Sequence, residues 1–317
     1  MAEEYYQPDS RWEMHGITSK ELHKEHAVIK GYFHEGVPED VVKEFTTTEY
    51  LMAHAYYYWP MYDEALTKSI FTVEVAIKLK AIQNNIPLKF KTKKGKKRDR
   101  RLVDIINDLF PNESYSEFLD ELHKIREHRN MKAHPKHHGF AGPNGADHYI
   151  RYMVNTLNKL FWSEKKFIAY NKEVEKISPR LKSLNDGVLK LEDKERAYLL
   201  AGLNSFDIIG ESLVISVLPM RVEYHSSKEG FNSESPKILS LRKYHVTMKE
   251  CTGYLSDGST ITISVTDKLE NINAKEERDT YIEQLNDSQK MVFYQSLNVQ
   301  TSYEMIKVQY DYYRQKY

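Results

Sequence analysis

The hydrophobic period of this chain changes near residue 180, and that change limits its fold more than any other feature. Before it, apolar residues recur at helical spacing. In "MYDEALTKSIFTVEVAIKLKAI", Leu66, Ile70, Val73 and Ile77 step by four, three and four, which places them on one stripe of an α-helix. Pro60 marks the start of that helix or a break before it. Residues 146–175 read as one long helix, with Ile150, Val154, Leu157 and Phe161 on one side. After "ISPRLKSLNDG" a helical pattern at about 193–208 gives way to alternation. The alternating stretches are "SLVISVLPMRVEY", then "LRKYHVTMKEC" with Tyr244, Val246 and Met248, then "STITISVTD" with Ile261, Ile263 and Val265. Asp257-Gly258 is a hairpin signal between the last two. Helix returns from about residue 274. The expected fold is mainly α: an N-terminal arm over residues 1–37, an all-α helical bundle over residues 38–178, and a smaller α+β domain over residues 179–317 with a few antiparallel strands.

Charge and cysteine content narrow the function. The 46 basic and 46 acidic residues cancel, so any nucleic-acid contact must come from a local patch rather than a global field. The single cysteine, Cys251, excludes an internal disulfide and a cysteine-rich metal site. No apolar run is long enough to span a bilayer, and the N-terminus "MAEEYYQPDSRWEM" has no apolar core of a signal peptide. These features point to a cytoplasmic protein with no membrane association. No G-x-S-x-G, G-x-G-x-x-G or P-loop pattern occurs, and no cofactor is expected.

The chemistry concentrates in "EHRNMKAHP". Phe118, Leu122 and Ile125 form an apolar stripe, and the next step of four lands on Arg129. A guanidinium stays charged, so on such a stripe it needs a partner. Glu74, four residues after Ile70 and three before Ile77, lies on or beside the apolar face of its own helix and is the candidate. His134 is five positions beyond Arg129, about 140° around an ideal helix. Pro135 disfavours helix at the residue before it, so the helix is expected to end at about 132–133. Its last turn can then bring His134 back toward Arg129, or a two-fold partner can supply a second pair to one cleft. Arg holds phosphate in a planar fork, His moves a proton near neutral pH, and Asn130 can orient either. Together these groups suit attack of an RNA 2′-hydroxyl on the adjacent phosphorus, with no metal required.

Arg129, Asn130 and His134, in the context RN…AHP after an apolar helix and with Glu74 on the helix before, resemble the signature of the HEPN superfamily (higher eukaryotes and prokaryotes nucleotide-binding). The resemblance covers roughly residues 48–175. It implies an all-α bundle that forms a homodimer with both motifs in one cleft. Arg129 and His134 would be catalytic, Asn130 would orient them, and Glu74 would fix Arg129 from behind. It further implies a metal-independent endoribonuclease acting on RNA, often as a toxin or in antiviral or abortive-infection defence. The alternative within the family is a non-catalytic dimer that binds a nucleotide or a partner protein. Lys136 stands where some family toxins carry a modifiable tyrosine. The segment from about residue 180 has no counterpart in the family, and is expected to bind a regulatory protein or ligand.

A second cluster lies between the two motif helices. "KFKTKKGKKRDRR", Lys89 to Arg101, holds nine basic residues and one acid. As a loop it can contact an RNA backbone through Lys93, Lys94, Lys96, Lys97 and Arg98. The histidines His123, His128, His134, His137 and His138 have irregular spacing for a metal site, and His137 and His138 read as extra cations in the loop. "YLMAHAYYYWPMYDEA" reads as core packing or a dimer contact rather than a stacking surface for bases.

Overall fold

A computed structural model describes residues 5–133, 142–194, 196–220, 226–227, 230–231 and 235–317. The chain packs as two units: Met1–Ser163 with Tyr313–Tyr317, and Glu164–Tyr312.

The first unit is helical. It contains α1 (Lys20–His26), α2 (Glu39–His54), α3 (Met61–Gln83), a small hairpin of β1 (Lys89–Lys91) and β2 (Lys97–Asp99), α4 (Leu102–Leu109), α5 (Ser116–Ala133) and α6 (Gly142–Leu160). Pro60 is the N-cap of α3, where its missing N–H costs nothing. α3 packs against α2, α4, α5 and α6. It can do so because its buried residues include the small Ala65, Ser69, Thr72, Ala76 and Ala81 as well as the Leu66, Ile70, Val73, Ile77 stripe. Helices approach closely where side chains are small.

The N-terminal segment docks on this bundle through aromatic side chains. Trp12 is buried, its Nε1 donates to the Ala55 carbonyl at 2.8 Å, and its ring lies 4.4 Å from both His23 and Trp59. The Tyr62 hydroxyl donates to the Ala27 carbonyl at 2.6 Å. His23 is itself buried, with Nε2 lacking a hydrogen-bond partner, and burial pushes its imidazole down to about 4.

The second unit corrects the expected fold class. In place of a few antiparallel strands it holds a closed six-stranded antiparallel barrel. α7 (Glu164–Asn185) leads into β3 (Leu189–Glu192), β4 (Ala197–Ile209) and β5 (Ser212–Pro219). The two-residue strands β6 (Ser226–Ser227) and β7 (Gly230–Phe231) pair with each other, and β8 (Lys237–Val246), β9 (Glu250–Tyr254) and β10 (Thr260–Val265) follow. β10 pairs with β3 to close the ring. The helices α8 (Leu269–Gln284) and α9 (Asp287–Lys316) complete the chain. Closure removes the exposed edges that an open sheet of these strands would present.

The barrel is filled by side chains. Leu189, Leu191, Leu213, Ile215, Val217, Leu239, Leu241, Ile261 and Ile263 form its core, joined by Ile177, Leu181 and Leu184 of α7. β5 is buried on both faces. Its other face carries Leu218, which packs with Tyr281 and Ile282 of α8 and with Phe293 and Leu297 of α9. Ser216 Oγ meets Thr301 Oγ1 at 3.3 Å, and Asn204 Nδ2 donates to the same hydroxyl at 2.7 Å.

Three local expectations fail for physical reasons. The helix read at about 193–208 is the strand β4. Register shifts at Leu200/Gly202 and Leu203/Ser205 break its two-residue alternation, so Leu200, Leu203 and Phe206 meet the barrel core at every third position and imitate a helix. The single helix over 146–175 is instead α6 and α7, interrupted between Leu160 and Glu164. Pro179 lies inside α7, which continues past it because Ile177, Leu181 and Leu184 are anchored in the barrel core. Met248 lies in the turn between β8 and β9 and is exposed, rather than extending the alternation of Tyr244 and Val246. Asp257 Oδ1 accepts from Ser259 N at 2.8 Å in the turn joining β9 to β10, and Gly258 there has φ +82°.

His23 makes the docking of the N-terminal segment sensitive to acid. Its folded pKa lies below its ordinary 6.5, so the unfolded chain takes up the proton first. Stability is therefore full above pH 6.5 and declines as pH falls toward 4, by an amount on the order of 2–3 kcal/mol. Urea titrations at pH 7 and pH 5 should show a larger loss for the wild type than for His23→Leu; equal losses would contradict this.

Candidate functional site

The helical stripes of α3 and α5 decide where the site residues meet. Phe118, Leu122 and Ile125 of α5 are buried, and Arg129 follows one turn later. Arg129 Nε donates to Glu74 Oε2 at 2.7 Å. The Glu74 side chain is 11% exposed and that of Arg129 33%, so the pair is partly open to solvent. Lys78, one turn along α3, donates from Nζ to the other carboxylate oxygen at 2.6 Å. Burial pushes the Glu74 carboxyl up, but the hydrogen bonds from Lys78 and Arg129 outweigh it and hold the group below its ordinary 4.5. The Arg129 guanidinium also lies 5.7 Å from the Phe71 ring, and its Nη1 donates to Asn130 Oδ1 at 3.3 Å. Among the described residues, its hydrogen bonds run from Nε and Nη1.

A second clamp lies one turn further on. Lys132 Nζ donates to both carboxylate oxygens of Asp63 at 2.8 Å. α5 is thus held to α3 by two ion pairs close to its last described residue, Ala133. On the side toward α6, His128 lies edge-on to Tyr149 with centroids 5.2 Å apart, and His148 is 5.6 Å from the same ring. Burial pushes both imidazoles down, which favours their neutral forms.

The structure therefore brings Glu74, Arg129 and Asn130 together. His134 lies outside the described residues, as do Lys136, His137 and His138. The basic segment is a hairpin, not the open loop read from the sequence. Lys91 pairs with Lys97 and Phe90 with Arg98, and the turn contains Gly95 at φ +75°. Lys93, Lys94, Lys96, Lys97 and Arg98 are all exposed. Arg100 anchors the hairpin's base, donating to Asp108 Oδ2 at 2.7 Å and to the Asp104 carbonyl at 3.2 Å. Reasoning from sequence missed Lys78 and the Lys132–Asp63 pair. The Glu74–Lys78 spacing of four is a signal for the first; the second needs the packing of two helices and has no local signal.

No family model, characterised protein or solved structure significantly matches the chain.

The Glu74 network sets a stability test. Arg129→Ala leaves Glu74 with Lys78, so it should cost about 1–3 kcal/mol, the range for a hydrogen bond to a charged group, rather than the larger cost of stranding a buried charge. Because the Glu74 pKa is lowered, this contribution is present above pH 4.5 and lost as pH falls below it. A double-mutant cycle of Arg129→Ala with Glu74→Gln, run at pH 7 and at successively lower pH, should show coupling that is full at pH 7 and shrinks once the pH falls below 4.5. Coupling that stays constant down to the acid limit of the fold would mean the charge of Glu74 is irrelevant.

Proposed function

We propose that the chain is a metal-independent endoribonuclease of HEPN type, working as a cytoplasmic homodimer in a toxin or antiviral role. The observation that carries this reading is the state of Arg129. This guanidinium is fixed through Nε yet one-third exposed, more open than the Lys132 ammonium of the neighbouring pair, which is 21% exposed. A cation held in that way can meet a phosphate without reorganising, which is how preorganised charge lowers a barrier. Asn130, beside it, limits its rotation.

In the proposed reaction the 2′-oxygen attacks the adjacent phosphorus. The new oxygen–phosphorus bond forms as the bond to the 5′-oxygen breaks. Arg129 binds the phosphate oxygens as their charge grows. His134 transfers a proton, from the 2′-hydroxyl or to the leaving 5′-oxygen. Products are a 2′,3′-cyclic phosphate and a 5′-hydroxyl. One chain contributes one Arg129 and one His134, and a two-fold dimer would supply a second pair.

Purified wild type incubated with labelled RNA in EDTA should leave 2′,3′-cyclic or 3′-phosphate ends and spare DNA, which lacks the nucleophile. His134→Ala should reduce cleavage by 100-fold or more, about the lower end of a general acid–base contribution. Metal-dependent cleavage with 5′-phosphate ends, or a monomer in sedimentation at micromolar concentration, would overturn the mechanism. Intact RNA together with tight nucleotide binding would favour the non-catalytic alternative.

A further inference from the structure

The β1–β2 hairpin has an organisation that its charge count does not convey. Directly opposed residues of an antiparallel pair share a face. Phe90 and Arg98 are opposed, so both lie on one face; Lys91 against Lys97 and Lys89 against Asp99 lie on the other. Opposed like charges destabilise a ladder, and a lone two-stranded hairpin is marginal to begin with. Lys91 and Lys97 have no ion pair among the described residues, and Asp99, the single acid between Lys89 and Arg101, lies 3.7 Å from Lys89. Lys93 and Lys94 add exposed charge at the turn. In a chain whose total charge is zero, this element gathers cations with almost no compensation. Among them Phe90 is 49% exposed, a half-exposed aromatic ring where a polar residue would serve solubility better.

We propose that this hairpin is a binding site for single-stranded nucleic acid, with Phe90 as the platform on which one unpaired base stacks. Arg98, on the same face, holds the phosphate next to that base. Lys91 and Lys97 hold the strand from the other face, and in doing so an anion relieves their mutual repulsion. A duplex fits poorly, because its bases are stacked on one another and offer the ring no face. An anionic membrane offers phosphate, but a single half-exposed ring buries too little apolar area to anchor there. Neither stacking nor phosphate contact needs a 2′-hydroxyl, so the hairpin takes RNA or DNA strands alike. That the natural strand is RNA rests on the ribonuclease reading above.

The test uses full-length His134→Ala, which leaves RNA uncut, and fluorescence anisotropy with an unstructured oligonucleotide of about 12 residues, within the usual site size for such surfaces. Single-stranded RNA and DNA of the same sequence should bind within a few-fold of each other, and the RNA duplex more weakly. Phe90→Leu, which keeps apolar bulk and loses the ring, should weaken binding by about 5- to 150-fold, the range for one stacked base, with an unchanged salt slope. Phe90→Trp should restore it. Replacing Lys91 and Lys97 together with Gln should flatten the slope of log affinity against log salt by about 1.4, two single-strand phosphate contacts, while the thermal midpoint stays level or rises. Phe90→Leu binding as well as its parent, equal affinity for duplex, or preferential capture by phosphatidylserine vesicles would each overturn the proposal. Cleavage by the wild type is scored separately, so absence of cleavage with Phe90-dependent binding rejects only the ribonuclease reading, and cleavage without Phe90-dependent binding rejects only this one.

Discussion

The first unit is organised around a charge that cannot be removed. Arg129 ends an apolar stripe on α5, and its guanidinium stays protonated at any pH the fold survives. Where α5 packs on α3, an anion on the facing helix offsets the water this guanidinium loses. Glu74 of α3 does so at 2.7 Å. The carboxylate in turn sits where burial would favour its neutral form, and Lys78 and Arg129 together keep it ionised. Each partner makes the other tolerable. An ion pair of this kind contributes less to net stability than its distance suggests, because both groups lose water. Its stronger effect is on register: of the possible ways to slide α5 along α3, the observed one satisfies both Arg129–Glu74 and Lys132–Asp63.

The same network explains why the pair need not be only structural. A guanidinium closed on all sides would spend its donors on the protein. Here Glu74 accepts from Nε and divides its second oxygen to Lys78, and the Phe71 ring lies near the guanidinium carbon. The side chain is oriented yet one-third exposed. Orientation without full occupation is what a phosphate-binding group needs, since the cost of arranging it falls on folding rather than on the reaction.

How much of this the sequence disclosed follows from how local each cause is. The stripe of Leu66, Ile70, Val73 and Ile77 comes from the helical repeat alone, and all four residues are buried on α3. The meeting of Glu74 and Arg129 was legible for the same reason: each residue's position on its own stripe limits which face it can present. The barrel was not legible. Ring closure depends on β10 finding β3, more than seventy residues apart in the chain, and no local pattern encodes that pairing. β4 was misread because its register shifts replace a period of two with steps of three. Pro179 is tolerated inside α7 because proline's local cost is outweighed by the burial of Ile177, Leu181 and Leu184. Phe90 was overlooked because an aromatic residue in a run of lysines has no periodicity to flag it; its significance appears only when the hairpin register sets it opposite Arg98.

The two groups of cations in this unit differ in how far anions compensate them. Arg129 and Lys132 are matched by carboxylates within 2.8 Å, so their fields largely cancel beyond a few ångströms. The hairpin lysines are exposed and nearly unmatched, so their field extends about a Debye length into solvent, roughly 8 Å at physiological salt. Only the second group can draw a polyanion from a distance, and only the first has the fixed geometry that chemistry on one phosphate demands. In the proposed enzyme, capture and catalysis therefore respond to salt differently. Raising ionic strength should weaken strand binding through the hairpin well before it disturbs Arg129, whose partly buried pair with Glu74 is screened far less. With zero net charge the chain has no global field to compete with the hairpin, so in the proposed enzyme a strand would be held first where the uncompensated charge lies.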